Sequence, residues 1–140
     1  MSELKSILME HALPGIWKYP PGLVTNESIL MRAQEIIREK FYQRFSKEVP
    51  YNCEIGISGL KIHHATESKA ESIADFEGKF IEIRACIKCP RPAYVKYVGK
   101  PDNMMYLQYH SEMDLKHLLK ASRVDLNFDL ICDKKMAKYK

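Results

Sequence analysis

No apolar run in this 140-residue chain approaches the roughly 20 residues needed to span a bilayer, so a membrane-spanning helix is not expected. No stretch has the G-x-x-x-x-G-K-[ST] pattern that cradles nucleotide phosphates, which excludes nucleotide hydrolysis on the residues present. Low-complexity tracts are missing as well, and with 46% hydrophobic residues the composition fits one globular domain with its own core. Cysteine is sparse. Of Cys53, Cys86, Cys89 and Cys132, only Cys86 and Cys89 have zinc-knuckle spacing, and no second pair accompanies them. That pair also lies on a segment that reads as a strand, which puts the two thiols on opposite faces. Neither a metal nor a cofactor is expected, Cys53 and Cys132 read as solitary, and free thiols imply a reducing compartment. The five histidines and the carboxylates form no nucleophile–base–orienter set at readable spacing. His63-His64 with Glu67 is the nearest thing to one, placed on a loop, and the chain is not expected to be an enzyme. Residues 1–13 have neither a signal-peptide core nor the Arg-rich, acid-poor look of a transit peptide.

What is present is a mild basic excess, 22 Lys and Arg against 18 Asp and Glu, which permits a nucleic-acid partner. Leu4, Ile7, Leu8 and His11 have helical spacing, and Leu13-Pro14-Gly15 ends that helix. An extended linker with Trp17 and Tyr19 follows. Thr25 or Asn26 is the expected N-cap of a long helix reaching about Ser46, with Ile29, Ala33, Ile36, Ile37, Lys40 and Phe41 on one side. Val49-Pro50-Tyr51 breaks that helix and launches a strand in which Cys53, Ile55 and Ile57 alternate with polar or small residues. Leu60 to His63 extends the strand or begins a second piece, and Thr66 to Gly78 is a polar excursion. The clearest strand sets Ile81, Ile83, Ala85, Ile87 and Cys89 against Glu82, Arg84, Cys86 and Lys88, and Pro90-Arg91-Pro92 ends it.

The chain is organised around Tyr94 to Asn103: a short apolar segment, a bend at Gly99 flanked by Lys96 and Lys100, and a helix start. A loop that hands over to a helix N-terminus offers free N–H groups and a positive dipole end, a natural seat for phosphate. Met104, Met105, Leu107 and Tyr109 suggest a short helix, and Ser111 to Asp114 resembles a capping box opening another. Asp102 is a candidate cap for a helix starting at Asn103. Val124, Leu126, Phe128 and Leu130 alternate as a third strand, and 134–140 is a basic tail. The expected class is α+β, a three-stranded sheet with helices on one face. The expected segments are an N-terminal helix and linker (1–24), a main domain (25–133) and the tail.

The order helix, strand, strand, helix, helix, strand is that of type II KH domains. Glu35-Ile36-Ile37-Arg38-Glu39-Lys40 followed by Glu48-Val49-Pro50-Tyr51-Asn52 resembles the IIREK…EVPY signature of the Era family of GTPases. Tyr19-Pro20 and Thr25 resemble that family's linker into its C-terminal KH-like domain, and Leu4 to Pro14 its last GTPase-domain helix and exit. Val98-Gly99-Lys100 matches the start of the family's I-G-K-G-G loop. The resemblance implies a short helix over Tyr94 to Val98 and contact with small-subunit ribosomal RNA. Two departures stand out: the GTPase domain is absent from these residues, and Pro101 and Asp102 replace the loop's two glycines. Proline removes an N–H donor, and Asp102 sets a negative charge beside the expected phosphate.

The function so implied is an RNA-binding component of a small ribosomal subunit, since a piece stripped of its GTPase switch and with an altered loop can still be held by surrounding contacts. The expected setting is a mitochondrial ribosome, and otherwise the cytoplasm. Its expected partners are small-subunit ribosomal RNA and neighbouring ribosomal proteins, with no membrane. Candidate phosphate contacts are Lys88, Arg91, Lys96, Gly99, Lys100, Lys116 and Lys120, and Tyr94 and Tyr97 are candidate base-stackers or core residues. Two alternatives stand beside it. One is an assembly factor or a piece of a full Era-like GTPase. The other is a protein-interaction module that has lost RNA, docking through Leu4, Leu8 and Trp17.

Overall fold

The computed structural model describes residues 2–16, 25–63 and 76–133. The expectations for the Trp17–Tyr19 linker, for most of the 66–78 excursion, for His64 and Glu67, and for the tail lie outside the described residues. The elements run α1 (Ser2–His11), α2 (Ile29–Arg44), α3 (Val49–Asn52), β1 (Glu54–His63), β2 (Phe80–Cys89), α4 (Pro92–Val98), α5 (Pro101–Leu119) and β3 (Arg123–Cys132). Among the described residues no helix is long and apolar enough to cross a membrane.

The sheet has order β1-β2-β3, with β2 central. β1 pairs antiparallel with β2, and β3 pairs parallel with it. A parallel neighbour needs a crossover, and α4 with α5 supplies it. On β2 the inward side chains Ile81, Ile83, Ala85, Ile87 and Cys89 are all fully buried, as the alternation predicts. β1 is one strand rather than two pieces, since Leu60 to His63 continues it past a register shift between Ile57 and Gly59. A bulge there keeps Leu60 and Ile62 on the inner face opposite Ile83 and Ile81.

Helices α2, α4 and α5 cover that inner face. Ala33, Ile37 and Phe41 of α2 are buried, and Leu107, Leu115 and Leu119 of α5 meet them over the sheet. The resulting architecture is the α+β, three-stranded mixed sheet with helices on one face expected for a type II KH-like domain. Lys40, its side chain only 12% exposed, pairs with Glu39 and with Asp114 of α5. The hydrogen bond to Asp114 is the main reason its pKa sits above the ordinary lysine value, with burial opposing it.

Several expectations are corrected. The N-cap of α2 is Ser28, whose hydroxyl accepts from the Met31 N–H at 3.2 Å, while Thr25 accepts from Glu27 instead. Val49-Pro50-Tyr51 does not enter a strand. It forms the helical turn α3, with proline in its first turn where no N–H is missed. The segments around Met104 and Ser111 belong to one 19-residue helix, and Ser111 is fully buried in mid-helix instead of capping anything. His63 lies on β1, stacked on Phe80 at 4.5 Å with Glu82 at 3.6 Å, and is not part of a loop. Cys53 is not solitary, because its sulfur lies 3.5 Å from that of Cys89.

Candidate nucleic-acid interface

Pro90-Arg91-Pro92 turns the chain out of β2 and into α4, with proline again in the first turn of the helix. Tyr94 to Val98 is therefore helical, as the family resemblance implied. Val98 is fully buried beneath it. The N–H of Gly99 closes α4 by donating to the Val95 carbonyl at 2.9 Å, and Lys100 then serves as N-cap of α5.

Gly99 is needed for a different reason than bending. Its φ of −74° is open to any residue. A Cβ there, however, would stand 2.9 Å from Leu130 Cδ1 and 2.9 Å from the Val95 carbonyl oxygen. The glycine lets the turn press onto β3, so the loop is seated on the sheet.

The helix start it presents is already occupied by the chain's own groups. Lys100 makes no side-chain cap, Pro101 has no N–H to offer, and the Asn103 and Met104 N–H groups donate to the Lys100 carbonyl. Asp102 lies in the first turn, where a carboxylate is favoured by the helix dipole. It does not cap a helix at Asn103, because the helix begins two residues earlier. Its charge nevertheless takes the place a phosphate would seek.

Asn103 is the hidden member of this corner. Among the described residues it is one of two buried polar ones, 7% exposed. Its amide nitrogen donates to the Tyr97 carbonyl at 2.8 Å, and its oxygen accepts from Arg44 Nε at 2.8 Å. One side chain thus ties the ends of α2 and α4 to the start of α5. Arg44 also lies over the Tyr106 ring, 5.1 Å from its centroid. Beyond it an open groove of about 570 Å³ runs along α5, lined by Arg44, Asp102, Met105, Tyr106, Tyr109 and Glu112.

The candidate contact residues divide by position. Arg91, Lys96 and Lys100 cluster around α4, exposed, and none is in an ion pair with a described residue. Lys100 Nζ lies 5.6 Å from the centre of the Tyr97 ring, and that ring is 42% exposed with its edge against Phe45. Tyr94 is half-buried and donates its hydroxyl to Glu48 at 3.4 Å, which makes it part of the packing. Lys88 is half-buried and paired with Glu54 at 3.2 Å, which raises its pKa. Lys116 and Lys120 lie at the far end of α5, about 24 to 30 Å along the axis from Lys100 at ~1.5 Å per residue. They do not belong to the same patch.

Sequence reasoning passed over Asn103, Arg44, Tyr106 and Tyr109. The available signal was weak: Met105, Tyr109 and Met113 recur every four residues, a stripe that reads as core but is exposed.

No family model matches the chain. Over 50 residues, 36% of its length, it is 38% identical to GTPase Era of Erythrobacter litoralis, and that match covers 16% of the relative. Two solved structures share its fold over 96% of its length. One is Aquifex aeolicus Era bound to GDP and aluminium fluoride (TM-score 0.71, 17% identity). The other is Era in complex with MgGDPNP and nucleotides 1506–1542 of 16S ribosomal RNA (TM-score 0.72, 19% identity). The chain spans 42% of the length of each. Similar in sequence over one stretch and in fold over nearly all of its length, the chain resembles the C-terminal, KH-like part of Era GTPases, without a counterpart to the rest of those proteins in the residues matched.

Proposed function

We propose that this protein binds small-subunit ribosomal RNA and acts there as a structural component rather than as a nucleotide-driven switch. The observation that carries the reading is that Arg91, Lys96 and Lys100, along α4 and the turn into α5, are exposed and in no ion pair with a described residue, with Lys100 over the Tyr97 ring, at the corner where KH domains hold a nucleic-acid backbone. The likeness to an Era structure holding 16S ribosomal RNA supports the same partner. With Pro101 and Asp102 in the loop, the grip shifts from backbone N–H groups to these side chains, and flat bases have Tyr97, Tyr106 and Tyr109 to stack on. Contacts made by long lysine and arginine side chains are screened by salt, so tight retention depends on neighbouring ribosomal proteins as well.

A mitochondrial ribosome is the setting we propose, and organelle fractionation tests that part separately. A protein-docking role is the second reading, favoured by the exposed Leu4, Ile7 and Leu8 on one side of α1. The test is sedimentation of the protein with small subunits followed by a high-salt wash. Retention is expected for a component. Release by salt points to a transient factor, and capture by proteins after nuclease treatment, with no RNA bound, points to the docking role.

A further inference from the structure

We propose that Cys53 and Cys89 form a modification site, a vicinal pair that a hydroperoxide converts into an internal disulfide. The two residues stand far apart in sequence, and the fold brings them together. Glu54 pairs with Lys88 in the β1–β2 register, so one step outward Cys53 faces Cys89 across two antiparallel strands. Directly opposed antiparallel residues have Cα atoms about 4.5 to 5.5 Å apart, inside the span a disulfide bridges. The sulfurs are already 3.5 Å apart, with the Cys53 thiol donating to Cys89. Closing to a bond near 2.05 Å needs a shift of about 1.5 Å. Cys53 is the single residue between the end of α3 at Asn52 and the start of β1 at Glu54, with its N–H bonded to the Val49 carbonyl.

The remaining cysteines are placed differently. Cys86 lies on the outer face beside Gly56, and Cys132 is exposed at the end of β3, opposite Cys89 in the parallel register. Cys89 is fully buried and Cys53 half-buried, so an oxidant reaches Cys53 first. The hydrogen bond from Cys53 favours the thiolate of Cys89 and lowers its pKa against the effect of burial, while it raises that of Cys53. The pair therefore shares one proton tightly and gives up the first more readily than the second.

The chemistry balances in two steps. Once the pair has lost its first proton, the remaining proton passes to Cys89 and the more accessible Cys53 sulfur, as thiolate, attacks the hydroperoxide. The S–O bond forms, the O–O bond breaks, Cys53 becomes a sulfenic acid, and the departing oxygen takes a proton from solvent to leave as the alcohol, or as water from hydrogen peroxide. The Cys89 sulfur then attacks the sulfenic sulfur, the S–S bond forms, and water leaves. Two electrons pass from the thiol pair to the peroxide, and a dithiol reductant returns them. The bond ties the α3–β1 corner to the foot of α4, through Cys89, Pro90 and Arg91, and so stiffens the platform on which the basic cluster stands.

The test uses the reduced full chain, treated with hydrogen peroxide, alkylated, and digested without reduction for mass spectrometry. The expected result is a loss of two hydrogens, a linked pair of peptides carrying Cys53 and Cys89, and reversal by dithiothreitol. The melting temperature of the oxidised protein should rise in the parent and in Cys132→Ser, and stay unchanged in Cys53→Ser. Cys53→Ser is preferred to a change at Cys89 because the half-buried site tolerates it. The proposal is overturned if Cys53 and Cys89 stay fully alkylatable while Cys132 alone oxidises, or if the product is a dimer joined through Cys132. An equal loss of hydrogens in Cys53→Ser overturns it too.

Discussion

The two ends of α5 are closed by opposite means. At the N-terminal end, side chains do the closing: Asn103 bonds Arg44 and the Tyr97 carbonyl, Asp102 faces the dipole, and Gly99 lets the turn press on Leu130. At the C-terminal end the backbone suffices. Lys120 adopts the left-handed conformation, φ 50°, its N–H reaches the Lys116 and His117 carbonyls, and its own carbonyl accepts from Gly78. An end made of specific side chains holds three helices in one geometry and is intolerant of change. An end made of backbone bonds leaves its side chains free to vary. Lys116 and Lys120 at the second are exposed, and their charges complement the helix dipole.

This contrast can be broken at several points. Gly99→Ala should have the largest effect. The added methyl meets a carbonyl oxygen that cannot yield and a packed leucine, and overpacking of this kind costs about 1 to 3 kcal/mol. Urea unfolding measures it, and a neutral result would show that the turn is not seated on β3 as described. Asn103→Ala comes next, at ~1 to 3 kcal/mol, because it leaves the Tyr97 carbonyl and the Arg44 guanidinium without the partner they share. Combined with Arg44→Ala in a double-mutant cycle, it should show coupling well above experimental error. Additive losses would mean the two do not act together. At the other end, Lys120→Gly should stabilise by up to about 1 kcal/mol, since glycine takes the left-handed conformation without strain. It should also leave RNA affinity unaltered, whereas a fall would return Lys120 to the interface.

Much of the architecture was legible because burial imposed a period on it. The alternation of β2 and β3 and the apolar side of α2 were readable residue by residue. What escaped notice had local patterns with two meanings. Ser111-Glu112-Met113-Asp114 has the spacing of a cap, yet Leu107, Ser111, Leu115 and Leu119 also form one continuous buried row at four-residue steps, and packing decided between them. Val49 to Asn52 is too short to show any period. The need for Gly99 was visible and its cause was not, because a close approach to Leu130 depends on where β3 runs. The Cys53–Cys89 contact and the bonds of Asn103 likewise join residues distant in sequence. Lys96 and Lys100 were found from the turn they flank and Arg91 from the exit of β2, but the sequence did not separate them from Lys88, already paired, or from the far end of α5.

The central claim, that the α4–α5 corner holds an RNA backbone through side-chain charge, is tested most directly by affinity for a small-subunit ribosomal RNA fragment across a salt series. The comparison is between the parent and a folded Lys96→Ala/Lys100→Ala variant. The account predicts that affinity falls steeply with salt in the parent, and that the log–log slope becomes shallower by about 1.5 in the variant, roughly 0.7 to 0.9 per lysine. A parent slope near zero, or a variant slope indistinguishable from it, would contradict the account.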